Sequence, residues 1–111
     1  MKAFLTLDNA KLEIEKAEGY INDLKRFIGI VENYNADTFE KKVIKEYAIL
    51  GSTTKVATKL SDEGYRYETG RKYKPEDMTE IIQSKNTIDE LHVIVKDIQK
   101  KNKTKANRNW N

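Results

Sequence analysis

Leu7, Ala10, Ile14, Ala17, Ile21, Leu24, Ile28 and Val31 recur at alternating steps of three and four, and nothing else in the chain constrains its fold so strongly. Residues at that spacing fall on one stripe of an α-helix, because the helix turns once in about 3.6 residues. The stripe is a heptad seam with aliphatic side chains at both core positions, the pattern of a coiled coil. Tyr20, Phe27 and Tyr34 widen it along one flank, and Gly19 and Gly29 weaken the helix locally while lying off the seam. Such a helix is roughly 40 Å long at the standard rise, more than the shorter helices after it can cover comfortably. Packing on its own domain and pairing with a second copy both remain open. The length favours a homodimer, with Leu7, Ile14, Ile21, Leu24, Ile28 and Val31 as the interface.

The rest of the chain reads as shorter helices. Asp37 and Glu40 have capping-box spacing and predict a helix start, with Phe39, Val43, Ile44 and Tyr47 on its apolar face and Gly51 ending it. Ser52-Thr53-Thr54 opens a short helix with Val56, Ala57 and Leu60 inward, stopped at Gly64. Tyr65 to Tyr73 alternates around a glycine-containing turn and fits either a short hairpin or an irregular basic loop. Pro75 suits a first helical turn, Glu76 and Asp77 suit the positive end of its dipole, and Met78, Ile81 and Ile82 face inward. Thr87 with Glu90 marks a further capping box, and Ile88, Leu91, Val95 and Ile98 give the last helix its stripe. The expected fold is all-α. A long coiled-coil-like helix (1–36) precedes a helix-turn-helix region, possibly winged (37–86), a C-terminal helix (87–99) and a basic, disordered tail (100–111).

Charge is distributed unevenly. Met1–Glu40 carries five basic against eight acidic residues, Lys41–Lys74 nine against four, Pro75–Gln99 two against six, and Lys100–Asn111 five against none. Positive charge thus gathers in the middle and at the end, where a polyanion would be met; a plain solvated surface is the alternative. Without cysteine the chain has no disulfide or thiol chemistry. The apolar run near Met1 is too short for a signal peptide and no stretch is long enough to span a bilayer, so a cytoplasmic protein is expected.

Several residues suit nucleic acid. Ser52, Thr53 and Thr54 offer hydroxyls and free backbone N–H groups at a helix start, which favours a phosphate, although any of them can be a simple cap. Lys55, Thr58 and Lys59 lie opposite the inward face of the same helix and suit phosphates or base edges. Arg66, Arg71, Lys72 and Lys74 interleave with Tyr65, Tyr67 and Tyr73, a composition suited to a phosphate backbone. Two geometries follow. Either Lys55–Asp62 enters the groove with Tyr65–Tyr73 as its wing, or the helix from Pro75 reads bases with Thr79, Gln83 and Lys85. Glu76, Asp77 and Glu80 on the second helix favour the first. The Lys100–Arg108 run reads either as a phosphate-tracking arm or as a solubilising end, and Trp110 as a base-stacking or partner-packing residue.

A helix, a glycine turn and a short helix with small apolar residues inside make the layout of a helix-turn-helix. Val43 to Asn86 resembles the helical start of the recombinase domain of large serine recombinases. The resemblance is carried by Gly51, Val56-Ala57, Leu60, Gly64, Gly70-Arg71-Lys72-Tyr73, Pro75, Met78 and Ile81-Ile82. It implies a DNA-binding segment. Tyr73 stands where that family usually has Trp, and Lys74 where it has a hydroxyl residue. A catalytic domain with its serine nucleophile is not matched, so the resemblance implies a DNA-binding module and not a recombinase.

Catalysis has little to stand on. His92 is the single histidine and has no metal-ligand partner at useful spacing, Ser52, Ser61 and Ser84 lack an arginine-rich setting, and Gly64 and Gly70 are isolated. No enzyme activity, metal or cofactor is expected. The expected function is a homodimeric helix-turn-helix protein binding double-stranded DNA, as a transcriptional regulator or accessory factor of a phage or mobile element. The alternative is a protein-interaction module, a small adaptor or inhibitor, whose long first helix docks on a different protein.

Overall fold

A computed structural model describes residues 5–110, with side chains through Lys103. Among these residues the fold is all-helical, with no strand: α1 (Leu7–Glu32), α2 (Phe39–Leu50), α3 (Thr53–Asp62), α4 (Pro75–Ile82) and α5 (Glu90–Trp110). The chain divides into two units, Met1–Asn33 and Tyr34–Asn111. The expected boundary after residue 36 therefore falls a few residues earlier, and the C-terminal helix belongs to the same unit as α2, α3 and α4.

The first unit is α1. Thr6 caps it, its hydroxyl accepting from the Asn9 amide at 3.1 Å, with Asp8 in the first turn. At the other end the Asn33 amide and side chain both donate to the Gly29 carbonyl, at 3.1 and 2.9 Å. All eight seam residues lie inside this helix. Leu7, Ile14, Ile21, Leu24 and Ile28 are exposed, from 42% for Leu24 to 72% for Leu7. Val31 departs from the expected interface: it is already buried in the single chain.

The second unit has a core of its own. Val43, Ile44 and Tyr47 of α2, Val56, Ala57 and Leu60 of α3, Met78 and Ile82 of α4, and Leu91 and Val95 of α5 are all buried. Their spacing along each helix is the apolar periodicity of the sequence, and each fully buried aliphatic contributes roughly 1.5–3 kcal/mol. Gly51 ends α2 in the left-handed region at φ +70, its amide donating to Tyr47 at 2.8 Å. Gly64, at φ +94, closes α3, with the Tyr65 amide reaching back to the Leu60 carbonyl at 2.9 Å. A side chain at either position would be strained, which is why glycine punctuates the α2–α3–loop path.

His92 is 1% exposed and joins the core to the segment before α5. Its Nδ1 accepts from the Ile88 amide at 3.0 Å and its Nε2 lies 2.9 Å from the Ile82 carbonyl. Those partners require a neutral ring protonated on Nε2, because Nδ1 must accept and only Nε2–H can donate to a carbonyl. Tyr34 is tied to the same corner: its hydroxyl donates to Asp89 at 2.6 Å and its carbonyl accepts from Lys45 at 2.9 Å. Burial, then the Asp89 carboxylate, hold the Tyr34 hydroxyl well above the usual tyrosine range.

Three expectations change and one alternative is decided. α2 is capped by Thr38, whose hydroxyl accepts from the Lys41 amide at 3.2 Å, while Asp37 is held by the Lys41 ammonium, also at 3.2 Å. α5 starts at Glu90 because Asp89, not Thr87, accepts from the His92 amide at 3.0 Å; Ile88 then lies outside the helix, 47% exposed. The segment Tyr65–Tyr73 is a loop and no wing. Its backbone closure is a turn in which Tyr67 donates to Arg71 at 2.9 Å and Gly70 to Tyr67 at 2.8 Å, too little to make a ladder. Finally, α5 runs to Trp110, so the basic run expected to be a disordered tail continues the helix, its sequence having no breaker to stop it.

Candidate nucleic-acid interface

α3 presents two faces. Val56, Ala57 and Leu60 are buried, while Thr54, Lys55, Thr58 and Lys59 are exposed. Thr54, Thr58 and Ser61, spaced by four and three, form one row on the outward side. With Ala57, Asp62, Lys72, Tyr73, Lys74 and Pro75 they line an open groove of about 330 Å³. Lys55, Lys72 and Lys74 are exposed, and none of their ammonium groups is ion-paired among the described residues. Hydroxyl donors flanked by unpaired cations on an open groove suit a phosphate backbone.

The other predicted residues are distributed differently. Ser52 is the N-cap of α3, its hydroxyl accepting from the Lys55 amide at 3.4 Å. Ser52 and Thr53 line a separate groove of about 350 Å³ with Tyr47, Thr79, Gln99 and Asn102, so the three consecutive hydroxyls do not act together. Lys59 is committed to Glu46 at 2.6 Å, and Glu46 is buried to 7% exposure. That hydrogen bond raises the Lys59 ammonium above the usual lysine range. A buried carboxylate needs its cation, so Lys59 serves the α2–α3 packing.

Arg66 folds back onto the end of α3, donating to the carbonyls of Ser61 at 2.9 Å and Tyr65 at 2.7 Å. Arg71 lies over the Tyr67 ring at 4.1 Å and meets Asp77 at 3.4 Å. Tyr73 stacks on Phe39 at 4.6 Å and lies tilted against Tyr67 at 4.2 Å, so these tyrosines organise the loop from within. Asp77 is the junction. It accepts the Lys74 amide at 2.7 Å, and that bond, followed by the Tyr67 hydroxyl and Arg71, holds its carboxyl below the usual range. Tyr67 is shifted upward, first by burial and then by its bond to Asp77.

Thr79 and Gln83 do not form a reading face. The Thr79 hydroxyl accepts from Gln99 at 2.9 Å, and the Gln83 amide donates to the Lys96 carbonyl at 3.0 Å and to Gln99 at 2.8 Å. Both side chains are spent joining α4 to α5. Lys85 lies beyond the end of α4, exposed. Of the residues named for the two geometries, Thr54, Lys55 and Thr58 of α3 are exposed, whereas Thr79 and Gln83 are half-buried. Ser61 is an addition to the nucleic-acid residues expected from sequence, and the signal for it is its place seven residues after Thr54, in the same helical row.

Among the described residues no group of three His, Cys, Asp or Glu is placed to hold a metal ion. No helix among them is long and apolar enough to cross a membrane.

The Recombinase family model matches residues 35–111, and the chain belongs to that family. The match covers the second structural unit almost end to end and leaves α1 outside, extending well beyond the 43–86 segment that carries the resemblance in sequence. No curated protein and no solved structure matches the chain.

Proposed function

We propose that this chain is a homodimeric, non-enzymatic DNA-binding protein that lays the outward face of α3 on duplex DNA, as a regulator or accessory factor of a phage or mobile element. Membership of the Recombinase family supports a DNA-related role in that setting. The observation that carries the assignment to α3 is the groove of Thr54, Thr58 and Ser61 walled by Lys72 and Lys74, with Lys55 beside it and all three lysines unpaired among the described residues. α2, the Gly51 turn and α3 supply a helix-turn-helix layout in which the second helix is the exposed one. His92 has both ring nitrogens bonded to backbone, which supports a structural histidine and a reading without catalysis.

The test is a titration of the purified chain against duplex DNA across a range of salt. Affinity is expected to fall steeply with salt, and replacing Lys55, Lys72 and Lys74 together by Ala to weaken it and flatten that dependence. The log–log slope should drop by about 0.9 for each phosphate that is no longer neutralised. Lys85→Ala is expected to change little. Failure of the wild-type chain to bind at low salt, or a triple variant that binds as well as wild type, overturns the reading.

The exposed seam of α1 also supports a second reading, a protein-interaction module in which that helix docks on a different protein. Polar residues at Ile14, Ile21 and Ile28 would then abolish partner binding while the lysine changes leave it intact.

A further inference from the structure

We infer that α1 pairs with α1 of a second copy in the antiparallel orientation, with each small seam residue seated opposite a large one. The inference rests on the homodimer reading and gives it an orientation and a register. In the heptad frame the a positions are Leu7, Ile14, Ile21 and Ile28, and the d positions are Ala10, Ala17, Leu24 and Val31. Val31 is buried in the single chain and takes no part.

A parallel, in-register pair would set Ala10 against Ala10 and Ala17 against Ala17. Those two layers leave space between the helices, because an alanine knob cannot fill a hole sized for leucine or isoleucine. It would also bring Glu13, at g, toward Glu18, at the following e, on both sides of the pair. The antiparallel pair has a like contact of its own, Glu18 near Glu18 of the second copy across the two-fold axis, so flanking charge does not separate the orientations and the core layers decide.

Reversing one helix changes the core partners. Ala10 then faces Ile28, Ile14 faces Leu24 and Ala17 faces Ile21, each layer occurring twice by the two-fold symmetry. One register satisfies all of them, and it leaves no layer of two alanines. Ile14, Ile21, Leu24 and Ile28 are each at least 42% exposed in the single chain, so the large members of these layers are free to pair. Antiparallel helix dipoles add a small favourable contribution. The chain leaves α1 at Asn33, so this orientation puts the two exits at opposite ends of the helix pair, roughly 40 Å apart at the standard helical rise. A parallel pair would hold them side by side.

The absence of native cysteine permits a clean test in the full-length chain. Ala10→Cys and Ile28→Cys are made separately, checked for wild-type helix content and for mass in solution while reduced, and then oxidised alone and as an equimolar mixture. In the antiparallel register two copies of one variant hold their sulfurs roughly 27 Å apart, whereas one copy of each brings them together. The expected result is a disulfide-linked species in the mixture, carrying one copy of each variant, and almost none from either variant alone. Homodimeric disulfides from each variant alone would overturn the orientation and leave the homodimer standing. A dimeric mass without a cross-link in any sample would place the dimer contact elsewhere and overturn the inference. A monomeric mass of the wild-type chain, at concentrations up to the highest attainable, would overturn the homodimer reading along with it.

Discussion

α1 and the α2–α5 unit use their aliphatic residues in opposite ways. In the second unit Val43, Ile44, Val56, Leu60, Met78 and Ile82 are fully buried by neighbours of the same chain. In α1 the same residue types, at an equally regular spacing, face outward: Ile14 is 58% exposed and Ile28 50%. Periodicity is thus equally clear in both, and it tells which side of a helix is apolar without telling what covers it. A seam is an instruction to pair, and its partner is set by what else the chain can bring to it.

The sharpest way to break this contrast is to remove the same bulk from each side. Leu60→Ala deletes a fully buried side chain of α3, and a loss of about 2–5 kcal/mol is expected in denaturant unfolding. Ile21→Ala removes a half-exposed one and should cost under ~1 kcal/mol in dilute protein, where a dimer is dissociated. At high concentration its cost should grow, because the residue then also supports the paired state. Equal costs at every concentration would remove the distinction between the two regions.

His92 tests a polar element of the core. His92→Leu keeps bulk but strips both ring nitrogens, leaving the Ile88 amide and the Ile82 carbonyl without partners. About 1–3 kcal/mol is expected for each group left unsatisfied, the full cost applying where water cannot enter. Thermal unfolding of the two proteins side by side checks it. A variant as stable as wild type would show that these bonds are readily replaced by water.

The fold was legible where physical signals reinforced one another. Val56, Ala57 and Leu60 between Ser52 and Gly64 specify a short helix by period, cap and stop together, and the structure has that helix. The caps lie a residue or two from the positions that spacing predicts where hydroxyl and carboxylate compete: Thr38 stands beside Asp37, and Asp89 between Thr87 and Glu90. The candidate interface was less legible, because exposure and availability are different properties. Lys55 and Lys59 read alike in sequence, yet only Lys59 has the buried Glu46 beside it. Thr79 and Gln83 look like groove readers until Gln99, sixteen or more residues away in sequence, claims them. Tertiary partners of this kind leave no local trace.

Asp77 gives the comparison a pH axis. Its carboxyl is held below the usual carboxylate range, chiefly by the Lys74 amide. A carboxylate depressed by folding contributes stability that is present above its unfolded value and lost as pH falls through the folded one. The start of α4 is therefore expected to weaken in acid below about pH 4. Asp77→Asn keeps an acceptor for the Lys74 amide but removes the charge, and should cost about 0.3–1 kcal/mol at neutral pH and flatten the acid side of the stability curve. An unchanged acid profile would assign the effect to other carboxylates.

The smallest expected effect lies on the outer side of α1. Gly19 sits within the helix, off the seam, and an added Cβ there would meet nothing within 4 Å. Gly19→Ala should therefore stabilise the helix by about 0.5–1 kcal/mol through backbone entropy alone. Circular dichroism should show more helix surviving on mild heating, while the unfolding transition of the α2–α5 core, followed by the near-ultraviolet signal of its tyrosines, stays in place. Because the substitution leaves every seam residue untouched, any gain in dimerisation would come from a better-formed helix and not from a new contact. A shift of the core transition by the same amount would mean that α1 and the core unfold as one, and that the contrast between them is a matter of exposure alone.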